Sequence, residues 1–270
     1  MRRFLGITRE RVYSPGRVGD DGAILGTVAA HLRQLGHIVE VMRGDEDRWP
    51  QPAPGTVIFA MCQGPHALAR LRQWQGRGVR IINAPEAILS CQRHRAVAAL
   101  TRAGIPVPES LLVETGSRPV MPSWVDEDGA WVKRGDVHAT ETDDVVFADC
   151  AAAAGSALQR LQERRIGTAV VQRHIPGRLL KFYAVRDLFF RCIPSGGAIA
   201  ASTLRRVEEL GQRAAQVLKV EVYGGDCISN VNGRLTLIDF NDWPSYAPCR
   251  AEAAKEIAAY LLAHNVASET

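Results

Sequence analysis

The 270-residue chain has 46% hydrophobic and 23% charged residues, a composition typical of a folded globular protein with one large domain or two to three small ones. Its net charge of +4 comes without a long run of like charge or a basic stretch interleaved with aromatic residues, so nucleic acid is not an expected partner. Because no apolar run approaches about 18 residues and the N-terminus turns polar early, we expect a cytoplasmic protein with neither a membrane segment nor a signal peptide.

The first third of the chain alternates short apolar runs with amphipathic segments. Asp20 or Asp21 is suited to cap the start of the first helix, and Gly36 is suited to its end. The run from 56 to 62 is almost entirely apolar, as in a strand that is buried on both faces. Predicted strands are 4–8, 38–42, 56–62 and 79–83, and predicted helices are 21–35 and about 65–75. This alternation predicts a small doubly wound domain over residues 1–87.

The remainder of the chain predicts two mixed units. A helix that starts at Pro85 and a second helix that ends at Gly104 lead into Ile-Pro-Val-Pro, which favours an extended linker. The first unit has predicted strands at 110–114, 130–134, 145–148 and 168–175 and an Ala-rich helix at about 149–165. The second has predicted strands at 181–187 and 188–193, a helix at 205–219, a hairpin at 222–241 and a last helix at 250–264.

The predicted hairpin places three oxygen-bearing side chains together. Its two strands flank Asn232-Gly233, and this dipeptide is the strongest short-range signal for a two-residue hairpin turn. If the residues that flank the turn face each other, Asp226 stands opposite Asp239, and Asn241 lies two residues further along the same strand. These three side chains then share one face of the hairpin.

Two carboxylates at this distance, with stems about 5 Å apart, repel each other unless a positive charge lies between them. A divalent cation such as Mg²⁺ fits, because it takes oxygen ligands and is usually held by one or two carboxylates and a nucleotide. The alternative is a solvated hairpin whose acids face water. The register also puts Ile228, Leu235 and Leu237 on the acid-bearing face, which favours burial and therefore the cation.

Basic and polar residues near strand ends are further candidates. Lys133 ends a predicted strand and suits phosphate oxygens, although most lysines are solvated surface residues. The end of the strand at Gln172 offers backbone groups to the edge of a purine. Lys181 and Tyr183 share a face of their strand, which is alternatively the polar side of a half-exposed strand.

Other common motifs are absent from the sequence. There is no GxGxxG and no P-loop, so neither a dinucleotide fingerprint nor a Walker-type phosphate loop is present. The six cysteines include no CxxC pair, which indicates neither a zinc site nor a disulfide framework. The seven histidines show no metal-ligand spacing, and His138, near Lys133, is the one to test.

In their order along essentially the whole chain, these segments resemble the ATP-grasp superfamily. The resemblance rests on NAPEAILSCQRHRAVAALTRAGIPVPES, WVKRG, VVQRHIPGRLLKFYAV, GGDCIS and LIDFNDWPSY. It implies an α/β protein with α+β subdomains, namely the ATP-grasp fold with an N-terminal doubly wound pre-ATP-grasp domain at 1–87. A linker helix with a small lid subdomain would occupy 88–174, and a C-terminal subdomain with the metal-binding hairpin 175–270.

The resemblance also implies ATP bound between the two subdomains together with two Mg²⁺ ions. It assigns Lys133 to the lid lysine that contacts phosphate and Lys181 to the basic residue of the following strand. The adenine linker would be Gln172, Arg173, His174 and Ile175, and the metal ligands Asp226, Asp239 and Asn241. Arg191, Arg205 and Arg206 are candidates for gripping an anionic substrate, although the last two could equally be the exposed start of a helix. Ser245 and Tyr246 either face the acceptor or pack the loop.

Three positions depart from the family pattern. A lysine usually stands near the position of His94, so one phosphate contact is in question. Asp239 occupies a position where Glu is commoner among the ligases. Leu179 replaces an acid that often follows the linker in ligases of the RimK type. The segments QRHIPGRLLKFYAV and LIDFN are also similar to the inositol polyphosphate kinases of the same fold.

The leading interpretation is an ATP-dependent ligase that joins a small-molecule carboxylate to a small-molecule amine through an acyl phosphate. Lys133, Lys181 and Arg191 would be its catalytic residues, acting by positioning and charge neutralisation. A small-molecule kinase is the second interpretation, and a non-catalytic nucleotide-binding module is the third. The assembly is left open by the sequence, with a homodimer among the expectations.

Overall fold

The computed structural model describes residues 1–14, 18–137 and 139–263. Its first sheet is four-stranded and parallel, with the order β2-β1-β3-β4. The two helices cover opposite faces: α1 packs on Phe4 and Phe59, whereas α2 packs on Leu5 and Ile58. This is the predicted doubly wound arrangement. The bounds are β1 Arg3–Thr8, α1 Val18–Gln34, β2 Ile38–Arg43, β3 Val57–Ala60, α2 Pro65–Gln75 and β4 Arg80–Ile82.

The second sheet is antiparallel, with the order β5-β8-β6-β7. Helix α6 covers one of its faces, where Leu158 and Leu161 meet Val132 and Val171. Two helices, α3 and α4, precede this sheet. The bounds are α3 Pro85–Ser90, α4 Arg93–Arg102, β5 Ser110–Glu114, α5 Trp124–Asp128, β6 Ala130–Arg134, β7 Val145–Ala148, α6 Ala151–Glu163 and β8 Thr168–Arg173.

The third sheet is antiparallel, with the order β10-β9-β11-β12. Helix α7 packs on one face through Val207 and Ala214, which meet Phe182 and Leu237. Helix α8 instead joins the core of the first sheet beside α1. The bounds are β9 Arg178–Val185, β10 Phe189–Pro194, α7 Ala201–Leu218, β11 Val222–Ser229, β12 Leu235–Asp242 and α8 Arg250–Ala263.

The division at 1–87, 88–174 and 175–270 stays a proposal, with one of the three sheets in each part. Both α4 and α8 cross it, because Ala96 and Leu100 of α4 share a core with the third sheet and α8 packs in the core of the first sheet. The predicted linker is also tied to the third sheet, since the backbone N–H of Leu237 donates to the oxygen of Pro106 at 2.8 Å. None of the helices in the described ranges has both the length and the apolar character needed to cross a bilayer.

Several boundaries differ from the predictions by a few residues. Helix α1 begins at Val18, three positions before the predicted start, and the side chains of Asp20 and Asp21 lie outside the described set. Strand β9 begins at Arg178 rather than at 181, so Leu179 shares a strand with Lys181. Helix α7 begins at Ala201, which places 205 and 206 in its second turn rather than at its exposed start.

The predicted two-residue turn of the β11–β12 hairpin is wrong. The chain turns over residues 231–233, and the N–H of Asn230 donates to the oxygen of Arg234 at 3.0 Å. The side chain of Asn230 accepts from the N–H groups of Asn232 and Arg234, and Gly233 has a φ of 71°. A glycine in this left-handed conformation is typical of a three-residue hairpin loop.

A β-bulge restores the predicted register at the acids. The extra turn residue pairs Cys227 with Leu237, but Ile238 then stands unpaired and Asp226 again faces Asp239. The expectation that Leu235 and Leu237 share the acid-bearing face is therefore wrong. A shift of one residue turns both leucines to the opposite face, where they pack with Cys227. Ile228, in contrast, lies on the acid-bearing side as predicted, because it lines the same cavity as both acids.

The loop before β7 is anchored by a fully buried carboxylate, Asp144. It accepts hydrogen bonds from the backbone of Thr140 and Glu141 at 2.6 and 3.1 Å, and it pairs with Arg134 and Arg164. Burial alone would raise its pKa, but these donors hold the pKa of Asp144 below its usual value. The carboxylate is therefore charged in the folded protein at neutral pH.

We predict that Asp144→Asn lowers the free energy of unfolding at pH 7 by about 3 kcal/mol, since it removes the charge of the buried carboxylate that pairs with Arg134 and Arg164. Because the folded-state pKa is depressed, this stability is present above about pH 4 and is lost as the pH falls further. Urea unfolding at several pH values measures both effects. The control is Asp143→Asn, at the exposed neighbouring position. Equal stability of the two variants at pH 7 would contradict the prediction.

Candidate active site

Two cavities meet at the acids of the hairpin. The larger, of about 640 Å³, lies between the second and third sheets. The smaller, of about 260 Å³, lies on the side of the first sheet and is reached by Arg9. Both are lined by Arg93, Asp226 and Asp239. A molecule in either cavity would therefore touch the same pair of carboxylates.

The local sequence of β11 allows the acids to approach each other. Gly225 precedes Asp226, and a Cβ at this glycine would lie 2.6 Å from both the backbone oxygen of Asp239 and the ring of Phe182. A Cβ at Gly224 would lie 2.8 Å from the oxygen of Phe182. The pair of glycines thus lets β11 lie tightly between β9 and β12, with the acids opposite each other.

Each acid has a cationic partner. Lys181 Nζ donates to both oxygens of Asp226 at 2.8 and 3.0 Å, and Arg93 contacts Asp239 at 3.2 and 3.4 Å. The Asn241 amide also donates to Asp239 at 3.3 Å. Arg93 lies on α4 and Lys181 on β9, so residues from elements distant in sequence offset the negative charges of the two hairpin acids.

The two carboxylates differ in their proton affinity. Burial and the charge of Asp239 raise the pKa of Asp226, although Lys181 opposes this. Burial would also raise the pKa of Asp239, but Arg93 and Lys133 hold it below its usual value. Two facing carboxylates and an amide oxygen suit Mg²⁺, which prefers oxygen ligands. Among the described residues, no three or more His, Cys, Asp or Glu side chains cluster in a way that could hold a metal ion.

Lys133 links the two subdomains that flank the larger cavity. Its ammonium donates to Gln172 at 2.7 Å and to the backbone oxygen of Ile238 at 2.9 Å. Ile238 is the bulged residue, so the bulge that restores the register also presents an acceptor to this lysine. Burial lowers the pKa of Lys133 to about 8, and Asp239 only partly offsets this effect.

The far end of the larger cavity is lined by aromatic and backbone groups. Trp131 donates its indole N–H to His174 at 3.1 Å, and both residues line the cavity with Gln172 and Ile175. Arg173 also lines the cavity, and its guanidinium pairs with Glu109 and Asp128. A flat heterocycle would find an aromatic face and the polar backbone of the linker here.

The structure does not bring every predicted residue to the cavities. The guanidinium of Arg191 pairs with Glu252 of α8 and lies outside both linings. Arg206 donates to the oxygen of Gly233 in the hairpin turn. Ser245 lines the smaller cavity, whereas Tyr246 is fully buried and its hydroxyl donates to the backbone oxygen of Ala184 at 2.6 Å, with that of Tyr223 at 3.1 Å. His138 lies outside the described residues.

Sequence reasoning missed Arg93, which is nearly buried and touches Asp239. A signal was present, because Arg93 directly precedes the position where the family lysine is absent. His94 itself turns away and bonds the oxygen of Gly135 at 2.7 Å through Nδ1. Gln63 and Asp242 were also missed. They form a buried hydrogen bond of 2.9 Å beside the smaller cavity, and Asp242 has a pKa raised to about 6 by burial.

No family model and no curated protein matches the sequence significantly, but solved structures match the fold. The D-alanine–D-alanine ligase of Coxiella burnetii matches with a TM-score of 0.73, 10% identity and 97% coverage of both chains. The Bacillus anthracis D-alanine–D-alanine ligase complexed with ATP gives 0.72 at 14% identity, covering 97% of this chain and 95% of that one. A RimK domain ATP-grasp protein from Sphaerobacter thermophilus gives 0.70 at 16%, covering 96% and 99%.

The chain therefore has the ATP-grasp fold, as its motifs predicted. It resembles RimK-type ligases in that fold over nearly its whole length. A further similar structure is the ATP-grasp ligase PsnB with a precursor variant, Mg and ADP, with a TM-score of 0.66, 16% identity and coverage of 96% and 97%. At these identities the likeness concerns the fold, and the chemistry must be argued from this chain's own residues.

We predict that Arg93→Met destabilises the metal-free protein by about 2 kcal/mol, because Asp226 and Asp239 then face each other with one cation fewer. Mg²⁺ should raise the melting temperature of this variant more than that of the wild type, since the ion replaces the lost charge. Melting curves with EDTA and with Mg²⁺ measure this difference. Arg95→Met, at an exposed position of the same helix, is the control. An identical Mg²⁺ effect in all three proteins would contradict the prediction.

Proposed function

We propose that this protein is a cytoplasmic, ATP- and Mg²⁺-dependent ligase that forms an amide from a small carboxylate and a small amine. The observation that carries the proposal is the meeting of two cavities at one pair of acids, Asp226 and Asp239. One cavity has the size and lining for a nucleotide, and the other admits a small acceptor. Their common boundary is where a phosphoryl group would pass between them.

The nucleotide would lie in the larger cavity with its base at the Trp131 end. The base would stack on Trp131 and meet the backbone of residues 172–175. Its phosphates would then extend toward Lys133 and Lys181, whose ammonium groups are compact donors for phosphate oxygens. Arg93 stands at the same end and supplies the cation that His94 does not.

Metal binding would change the ion-pair partners of the acids and of the basic residues in the site. In the structure Asp226 and Asp239 are paired with Lys181 and Arg93. On nucleotide binding, the two cations would turn to phosphate oxygens and leave Asp226, Asp239 and Asn241 to hold Mg²⁺. The metal would supply charge neutralisation at the transferring phosphate.

The reaction would take place in two steps. An oxygen of the acceptor carboxylate attacks the γ-phosphorus, the bond to the β–γ bridging oxygen breaks, and ADP leaves. The amine nitrogen then attacks the acyl carbon, phosphate departs, and the nitrogen loses a proton to give the amide. Lys133, Lys181 and Arg93 would orient the phosphate and offset its charge, with no covalent role for the protein.

A phosphate balance tests this proposal. We expect wild-type protein with Mg²⁺ and ATP to release ADP and phosphate in equal amounts only when pools of small acids and amines are combined. Asp239→Asn should reduce turnover at least about a hundredfold, because one metal ligand loses its charge. Asp187→Asn, in the exposed turn after β9, is the control. ADP without free phosphate from a polyol pool would show a kinase, and ATP binding without turnover would show a binding module.

The lowered pKa of Lys133 gives a separate test with Mg·ATP alone. The protonated lysine binds phosphate, so affinity should be constant below about pH 8 and weaken as the pH rises through this value. The expected slope approaches about tenfold per pH unit above it. Lys133→Met should bind weakly without this slope. Calorimetric titration from about pH 6.5 to 9.5 measures this pH dependence. A slope that persists in Lys133→Met would show that another group causes it.

A further inference from the structure

The surface between the two ends of the larger cavity is formed by a cross-strand pair. Leu179 and Lys181 lie on the same face of β9, where Leu179 pairs with Ile228 and Lys181 with Asp226. Two residues along a strand span about 6.7 Å. The Leu179–Ile228 pair therefore lies one such step from the Lys181–Asp226 pair, toward the linker that precedes β9.

This placement, together with the proposed function, locates the sugar of the nucleotide. If the base lies against residues 172–175 and the phosphates lie at Lys181, the ribose must cross the surface between them. Leu179 and Ile228 form that surface, and Ile238 and Gly177 line the cavity beside them. The sugar would therefore rest on apolar groups.

The described residues of this surface offer little to a hydroxyl group. The side chains of Leu179, Ile228 and Ile238 have no polar atom. The backbone oxygen of Leu179 accepts from the N–H of Ser195 at 2.8 Å, and that of Ile238 accepts from Lys133 at 2.9 Å. At Gly177 a Cβ would lie 2.6 Å from the oxygen of Ser229, so no side chain fits there.

We propose that this protein does not select its nucleotide by the ribose hydroxyls, and that 2′-deoxyATP serves it as well as ATP does. A site built to hydrogen-bond a hydroxyl penalises an analogue that lacks it, because polar groups are left unpaired. An apolar surface leaves nothing unpaired. Leu179 is then the residue that accounts for the equal use of ATP and 2′-deoxyATP.

Binding measurements on the wild-type chain test the proposal directly. Calorimetric titration with Mg²⁺ and ATP, 2′-deoxyATP or 2′,3′-dideoxyATP should give dissociation constants within about threefold of one another. A preference for ATP of about tenfold or more would overturn the inference while leaving the proposed function intact. Absence of ATP binding would reject both.

Variants at Leu179 test the placement of the sugar. Leu179→Gln and Leu179→Glu introduce an acceptor next to Ile228, and each should favour ATP over 2′-deoxyATP by about tenfold. Leu188→Gln, at an exposed leucine in the turn after β9, should keep the wild-type ratio. An unchanged ratio in the folded Leu179 variants would show that the sugar lies elsewhere. If neither variant folds, the wild-type ratio alone still decides.

Discussion

The repulsion between Asp226 and Asp239 is the constraint on which the site depends. Strand register holds the two carboxylates opposite each other, and their partial burial makes the uncompensated charge costly. The structure offsets it with cations from three places: Lys181 from the neighbouring strand, Arg93 from α4 and Lys133 from the second sheet. The hairpin therefore holds the subdomains together electrostatically as well as defining the centre between them.

The same arrangement explains how the site can change partners at low cost. Removing one member of a buried ion pair is costly, but replacing it with another ion of the same sign is not. In the proposed reaction, phosphate oxygens and a divalent cation would arrive together, so Lys181 and Arg93 would exchange one anion for another while the acids would exchange one cation for another. The charge would stay balanced, and neither acid would be left without a cation.

The hairpin shows how far the sequence predicts such a site. The Asn-Gly dipeptide correctly predicted a turn, and the acids do face each other. The turn has one residue more than predicted, however, and only the bulge at Ile238 compensates for it. The bulge lies in the pairing of β11 with β12 and depends on tertiary packing, so the sequence pattern does not predict it. The leucines at 235 and 237 were placed on the wrong face for this reason.

The cationic residues show a second limit of sequence reasoning. Lys133 and Lys181 stand on strands in recognisable motifs; Lys133 lines the larger cavity and Lys181 the smaller one. Arg93 and Arg191 are long side chains whose partners are set by distant elements: Arg93 reaches Asp239, whereas Arg191 reaches Glu252 on α8. Strand periodicity predicts the face on which a residue lies, but it does not predict which distant charge a flexible guanidinium will meet.

The wall of the smaller cavity depends on the first sheet. Its strand order is β2-β1-β3-β4, with α1 and α2 on opposite faces, so the connections diverge between β1 and β3. Ligands of such sheets bind where the connections diverge, at the carboxyl ends of the strands. Here Arg9 follows β1 and donates to the oxygen of Trp243, while Gln63 follows β3 and bonds Asp242.

Two loops of the first sheet are thus joined to the end of β12, immediately beyond Asn241. Glu10, in the loop after β1, connects the two loops, because its carboxylate accepts from the backbone N–H groups of Gln63 and Gly64 at 3.0 Å each. A change in either loop would move Asp242 and reshape the smaller cavity without altering the nucleotide end. Under the proposed function, the choice of acceptor would therefore be separable from the choice of nucleotide: the first sheet would govern one, and the surface around Leu179 the other.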